Sequence, residues 1–216
     1  MLIFTNSKKT LVSEWSERFA FSENIEKMIV TEDLMAYAMS TVNPQGIAAV
    51  VNAPEMLGPI PVKGMDLYLI TDGISDPGNL GTMIRTADAF AFSAVILSNN
   101  SVDPFNDKAI RASMGSCFHV PIIRAGSTAD ICLIIKRMGV QLIASHLDGN
   151  SIEDTRISFP AALVIGNEAW GISDECLREC DTIVKIPMPG SAESLNAASA
   201  CSILSYVLTK TKEQGI

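Results

Sequence analysis

The chain has 216 residues, 48% of them hydrophobic and 19% charged, which suits one domain with a sizeable core plus a smaller appendage. A formal net charge of −8 excludes a broad basic field of the kind that drives phosphate binding: residues 1–65 carry five Lys/Arg against seven Asp/Glu, and residues 66–216 carry eleven against seventeen. No apolar run reaches membrane-spanning length and the first ten residues lack a signal-peptide core, so a cytoplasmic protein without membrane contact is expected.

Residues 1–62 are the less regular part. Leu11 to Met28 is a helical candidate, with Trp15, Phe19 and Ile25 loosely spaced, and Glu32 to Met39 is a second. Asn43-Pro44-Gln45-Gly46 signals a turn ahead of a short strand, Ile47 to Val51. Pro54, Gly58, Pro59, Pro61 and Gly64 read as a linker, which sets a boundary near residue 62 and expected units of 1–62 and 63–216.

From Asp66 the pattern becomes regular. Leu67–Thr71, Ala94–Ser98, His119–Ile123, Gln141–Ser145, Ala162–Ile165 and Thr182–Ile186 read as short apolar strands. Helical stretches lie between most of them, at Leu80–Ala91, Asp107–Met114, Thr128–Met138 and Asp174–Cys180, and Ser194–Thr209 closes the chain. Such alternation predicts an α/β fold, a mostly parallel sheet with helices on both faces. The first half of the closing helix is apolar in nearly all directions, which predicts burial under the sheet or against another subunit. Five cysteines without a CxxC spacing, and only His119 and His146, predict buried reduced thiols and no metal site.

Three loops that follow strands carry the chemistry, since open α/β sheets bind ligands beyond the carboxyl ends of their strands. The first, Asp72 to Phe90, is a Gly/Pro/Asn loop opening a helix. Its Arg85 lies six residues past Asn79 and off the apolar stripe of Leu80, Met83, Ile84 and Ala87. A guanidinium so near a helix start needs an anionic partner, either a bound phosphate or carboxylate or a nearby acid such as Asp88. The second, Gly166-Asn167-Glu168-Ala169-Trp170-Gly171-Ile172-Ser173, matches a phosphate loop except that Ile172 replaces its lysine, which removes nucleotide hydrolysis. Glu168 is then either a holder of neighbouring loops or a solvated acid. The third, Gly190 to Asn196, offers Ser194 as a helix N-cap and places Asn196 in the first turn of an apolar helix, where a buried amide needs partners.

These blocks resemble the three signature motifs of the SpoU/TrmH family of RNA ribose 2′-O-methyltransferases, within the SPOUT class. The matching residues are Asn79-x-Gly81-x-x-x-Arg85-Thr86-Ala87-x-Ala89-Phe90, then Gly166-Asn167-Glu168-x-x-Gly171, then Ile186-Pro187-Met188-x-Gly190 through Ser194-Leu195-Asn196. Arg111 to Ser116 is similar to the family's segment between the first two motifs. The resemblance covers about residues 66–210.

What the resemblance implies is specific. The fold is a SPOUT sheet whose C-terminal chain passes through a trefoil knot, a topology that pattern alone would not suggest. The cofactor is S-adenosylmethionine, held by Gly166, Ile186, Met188 and Leu195, with no metal. Asn79, Arg85, Glu168, Ser194 and Asn196 match catalytic or RNA-handling positions. A homodimer completes the active site, and the substrate is RNA, ribosomal ahead of transfer. Arg85 fits a phosphate clamp and a stabiliser of the developing alkoxide better than a base, because guanidinium stays protonated. Relatives acting on large-subunit ribosomal RNA often begin with a fuller, basic substrate-binding domain. Here residues 30–51 resemble only its last part, and the front is shortened and acidic. Two competing readings are a non-catalytic RNA-binding or ribosome-associated paralogue that retains the cofactor pocket, and an unrelated α/β domain binding a small ligand.

Overall fold

The computed structural model describes residues 1–18, 25–39, 41, 43–53, 56, 60 and 66–214. The chain forms two compact units, Met1–Pro54 and Glu55–Ile216. The linker expected around Pro54, Gly58, Pro59, Pro61 and Gly64, and the boundary near 62, lie outside the described residues.

In the first unit β1 (Leu2–Thr5) is the central strand of three, parallel to β2 (Lys27–Val30) and antiparallel to β3 (Ile47–Ala49). Helix α1 is Lys9–Arg18, and α2 is Glu32–Ala38, where the Thr31 hydroxyl accepts the Leu34 N–H at 3.2 Å as an N-cap. Phe4, Val12 and Met35 are buried. Of the helical candidate Leu11 to Met28, Leu11–Arg18 is helical within α1 and residues 19–24 lie outside the described residues, whereas its end is strand, with Met28 paired to Ile3 in the sheet. Lys27-Met28-Ile29-Val30 is a short apolar run whose periodicity does not separate helix from strand. Strand β1 escaped the sequence reading for the same reason, being four residues followed at once by polar Asn6, Ser7 and Lys8.

The second unit is built on six parallel strands: β4 (Leu67–Asp72), β5 (Ala94–Leu97), β6 (Ile122–Arg124), β7 (Gln141–Ser151), β8 (Ala161–Gly166) and β9 (Thr182–Lys185). Their order is β6-β5-β4-β8-β7-β9, so β4 and β8 are central. The helices are α3 (Pro77–Ala89), α4 (Asp107–Ser113), α5 (Thr128–Arg137), α6 (Asp174–Glu179) and α7 (Ala197–Gln214).

Strand side chains alternate between faces, and both faces are apolar. Leu67, Leu69, Val95, Leu97, Leu163 and Ile165 pack with Leu80, Met83 and Ile84 of α3 and with Cys201, Leu204 and Leu208 of α7. Tyr68, Ile70, Ala94, Ile96, Ala162 and Val164 face Ile131, Cys132 and Ile135 of α5 and Cys176 of α6. Each buried Leu or Ile contributes about 1.5–3 kcal/mol, so continuous apolar strands specify this two-sided burial. Gly81 lies where α3 meets α4: a Cβ there would stand 2.3 Å from the Ala109 carbonyl oxygen. The alternation of strands and helices therefore produced the expected fold class.

Several boundaries differ from expectation, among them the start of α3 at Pro77 instead of Leu80 and the end of β3 at Ala49 instead of Val51. The strand expected from His119 begins only at Ile122, since Ser116–Phe118 is a 3-10 turn and Pro121 has no N–H to pair. Strand β7 continues to Ser151 with an irregular register against β9 between Ser145 and Asn150. Helix α7 starts at Ala197 and buries one face, through Ala198, Cys201, Leu204, Ser205 and Leu208, while Ile203 and Tyr206 are 40% and 52% exposed. All five cysteines are free; Cys132 and Cys176 have their sulfurs 3.4 Å apart, and Cys180 is half-buried. Among the described residues no helix is long and apolar enough to cross a membrane.

Candidate functional site

Asp72 and Gly166 are register partners at the carboxyl ends of β4 and β8, so the two loops that follow leave the sheet side by side. Asp72 is buried and uses both carboxylate oxygens to hold what comes next. Oδ1 accepts from the Thr128 hydroxyl at 2.5 Å, and Oδ2 accepts from the Ser173 N–H at 2.8 Å. In the first loop Gly73 has φ +69°, and Asp76 caps α3 by accepting the Asn79 N–H at 2.8 Å, with Pro77 pre-set at the first helical position. The Lys108 ammonium, 2.7 Å from Asp76 Oδ2, together with the Asn79 N–H, holds the Asp76 carboxyl below its usual pKa.

The second loop is a tight turn. Asn167 and Gly171 exchange both backbone hydrogen bonds at 2.9 Å, with Gly171 at φ +73°. Asn167 locks it further: its Oδ1 accepts from the N–H of Ala169 (2.8 Å) and Trp170 (3.2 Å), and its Nδ2 donates to the Gly73 carbonyl at 2.6 Å. No side chain is tolerated at Gly166, where a Cβ would stand 2.2 Å from the Gly171 carbonyl carbon.

Glu168 reaches from this turn to the first loop. Its Oε2 accepts from the Ser75 N–H (3.1 Å) and hydroxyl (3.0 Å), and its Oε1 from the Asp76 N–H (3.2 Å) and Asn79 Nδ2 (2.9 Å). Partial burial works to raise its pKa, but the hydrogen bonds from Asn79 and Ser75 outweigh it and the net shift is downward. Asn79 then passes the connection on, because its Oδ1 accepts from Asn196 Nδ2 at 3.0 Å. Asn196 in turn caps α7, its Oδ1 accepting from the N–H of Ala198 (2.9 Å) and Ser199 (3.2 Å). The N-cap is therefore Asn196 and not Ser194, and Asn196 lies at the exposed start of the helix instead of buried within its first turn. One amide, Asn79, ties all three loops together.

Beside this junction is a cavity of about 590 Å³ at the carboxyl ends of β7, β8 and β9. Strand β7 pairs with β8 only as far as Ala144, and beyond it Ser145, His146 and Leu147 form the cavity's other wall. Gly166, Ile186, Met188 and Leu195, the four expected cofactor contacts, all line it, as do Glu168, Ser194 and Asn196. Asn79 stands behind them through its hydrogen bonds. Arg85 is the exception. It is exposed on α3, does not line the cavity, and makes no hydrogen bond or ion pair among the described residues. The acid considered for it, Asp88, pairs with His119 at 3.3 Å.

Sequence reasoning missed Ser75, Asp72 and the locking role of Asn167. Asp76-Pro77 is a readable cap signal that places Ser75 just outside a helix start. Nothing local marks a buried strand-end aspartate such as Asp72 as a holder of distant loops. A cavity of this size suits a nucleoside-sized ligand. The side-chain-free backbone at Gly166 and the apolar Ile186, Met188 and Leu195 fit a cofactor of adenosine type. Among the described residues no group of three or more His, Cys, Asp or Glu is arranged to hold a metal ion.

Residues 66–206 match the SpoU rRNA Methylase family. The 23S rRNA (guanosine(2553)-2′-O)-methyltransferase RlmP of Bacillus subtilis is 38% identical over 185 residues, covering 85% of this chain and 73% of that protein. The 23S rRNA (uridine(2479)-2′-O)-methyltransferase of Streptomyces viridochromogenes is 31% identical over 212 residues, covering 94% and 74%. The crystal structure of the SpoU methyltransferase AviRb from Streptomyces viridochromogenes, in complex with the cofactor AdoMet, superposes with a TM-score of 0.85 at 29% identity, covering 99% of this chain and 83% of that one. With three motif loops joined around one cavity and a match across most of its length, this chain belongs to the SpoU rRNA methylase family.

Proposed function

We propose that this protein is an S-adenosylmethionine-dependent methyltransferase acting on a ribose 2′-OH of RNA, with ribosomal RNA ahead of transfer RNA. The observation that carries the reading is the cavity, whose wall holds Gly166, Ile186, Met188 and Leu195 and whose rim holds Glu168, Ser194 and Asn196. The names of the 23S rRNA-modifying relatives favour ribosomal RNA.

When bound, S-adenosylmethionine supplies a methyl group already activated on a sulfonium. The protein's task is to align the 2′-oxygen and lower the cost of its developing charge. Gly166, Ile186, Met188 and Leu195 would hold the cofactor. Glu168, ionised and accepting four hydrogen bonds, is poorly suited to take a proton, and its role is to fix the first two loops relative to each other. Asn79 and Asn196 extend that fixation to the third, and Ser194 offers an exposed hydroxyl at the rim. Arg85, always cationic, serves as a phosphate clamp and charge stabiliser.

A homodimer completes the site. Arg85 is outside the cavity of its own chain, and the uncovered Ile203 and Tyr206 of α7 supply an apolar contact face, which supports that arrangement. The trefoil knot is supported by the likeness to SpoU folds and by the path from edge strand β9 back to α7 against α3 and β8. Residues 1–62 act as a substrate-binding appendage preceding the catalytic domain at 63–216, in the cytoplasm where ribosomal RNA resides.

The test has two arms. Titration calorimetry with S-adenosylhomocysteine reads cofactor binding. Transfer of labelled methyl to in vitro transcribed 23S rRNA, followed by alkaline hydrolysis, reads the linkage, because a 2′-O-methyl group protects its phosphodiester. Binding with an alkali-resistant labelled dinucleotide supports the proposal; binding without transfer favours the non-catalytic paralogue, and no binding by folded protein favours an unrelated ligand.

A further inference from the structure

Trp170 is 88% exposed, although it belongs to the most tightly held loop of the site. The backbone around it is fixed by the paired hydrogen bonds of Asn167 and Gly171 and by the Asn167 side chain, which accepts the N–H of Trp170 itself. The indole is thus displayed from a rigid base, and it lines the same cavity that carries Glu168 and Leu195. Its neighbour Glu168 turns to Ser75 and Asn79, so the loop is held without help from the indole. A large flat apolar surface kept in water on a pre-ordered loop is suited to a flat apolar partner.

The partner follows from charge and from the reaction. With a net charge of −8 the protein cannot rely on a broad phosphate attraction to hold RNA, and stacking is the alternative that does not need basic residues. Sequence-specific RNA contacts are made largely with unpaired bases stacked on aromatic side chains. We propose that Trp170 stacks on an unpaired nucleobase of the RNA, at the methylated nucleotide or one next to it, and so supplies a main part of substrate affinity. This inference rests on the RNA-methyltransferase reading.

The test uses the two tryptophans of the chain. In a Trp15→Phe background Trp170 is the only indole, and its emission is followed during addition of a mixed-sequence single-stranded oligoribonucleotide, addition of S-adenosylhomocysteine, and dilution. Quenching by the oligoribonucleotide is expected, with little response to the other two. In steady-state methylation of 23S rRNA transcript, Trp170→Ala raises the KM for RNA about tenfold with kcat and S-adenosylhomocysteine affinity nearly unchanged. Trp170→Phe keeps most of the affinity and Trp170→Leu does not.

Equal rescue by Leu and Phe overturns stacking. Quenching by S-adenosylhomocysteine alone assigns the indole to the cofactor's adenine, and a change on dilution alone assigns it to a second copy of the chain; either overturns the proposal. If wild type transfers methyl while Trp170→Ala leaves KM unaltered, only this inference falls. If wild type transfers none, the underlying reading fails independently of the fluorescence.

Discussion

Asn79 Oδ1 and Asn196 Nδ2 meet at 3.0 Å across 117 residues of sequence, joining the first motif loop to the cap of the last helix. The orientation of the Asn79 amide is dictated from its other side, where Nδ2 donates to the Glu168 carboxylate; turning it over would set two oxygens against each other. Asn196 is similarly fixed, because its Oδ1 is occupied by the N–H groups of α7. Neither amide has freedom to rearrange.

Asn196→Asp separates capping from coupling. Aspartate caps a helix as well as asparagine but cannot donate to Asn79. Thermal unfolding should stay within about 2–4 °C of wild type. Methyl transfer should fall by about tenfold or more, equivalent to about 1.4 kcal/mol of transition-state stabilisation. Unchanged transfer would show that the link is dispensable.

Gly166→Ala should abolish S-adenosylhomocysteine binding in titration calorimetry. Its Cβ would stand 2.2 Å from the Gly171 carbonyl carbon and 2.3 Å from the Ile172 nitrogen, both backbone atoms that cannot swing aside. The expected destabilisation is about 1–3 kcal/mol, within reach of a folded protein, and far-ultraviolet circular dichroism checks that the sheet persists.

The pH dependence of cofactor affinity follows from Glu168. Its pKa in the folded protein lies below the ordinary value of 4.5, so its hydrogen bonds support the loops at and above that value and are lost as pH falls through the lowered one. Asp76 shifts the same way, through Lys108 first and the Asn79 N–H second. Calorimetric titrations should show affinity steady from neutral pH down to the ordinary carboxylate range and falling below it. Glu168→Gln should bind more weakly at neutral pH, since its NH2 faces donors, and should lose part of the acid-side fall. An identical acid profile in Glu168→Gln would remove Glu168 as the cause.

Arg85→Lys should leave stability within about 0.5 kcal/mol, because Arg85 is exposed and has no described partner to lose. Cofactor binding should also persist. Transfer to RNA should largely disappear, since an ammonium cannot form the guanidinium's fork to a phosphate. Full activity in this variant would end the clamp assignment.

Ile203→Glu tests the uncovered face of α7. Sedimentation equilibrium should show a dimer for wild type and a monomer for the variant, with transfer lost alongside. A variant that remains dimeric would move the interface elsewhere.

The parts of this structure that were legible in the sequence are those governed by local rules. Apolar runs of strand length separated by helical stretches led to a two-sided parallel sheet, although α3 begins at Pro77, ahead of the expected Leu80, because Asp76 caps it. The loops around Asn79, Glu168 and Asn196 were recognisable as a set through family resemblance, but their hydrogen bonds were not, since the partners lie 89 and 117 residues apart. Ser194 was the natural N-cap on pattern, and Asn196 took that place because the helix begins two residues later than apolarity suggests. The one-sided burial of α7 was also hidden, because an apolar helix looks the same whether its second face meets its own sheet or another molecule.

The junction at Asn79 has a consequence for the timing of synthesis. Its three contributors enter the chain far apart, and the last, Asn196, comes only after every strand of the sheet. A nascent polypeptide that has completed β9 but not α7 has the full sheet and two of the three loops, yet lacks the amide that fixes Asn79 from the third side. Competence to hold the cofactor therefore requires synthesis to have passed Asn196, and a chain that stops before it lacks the third side of the junction.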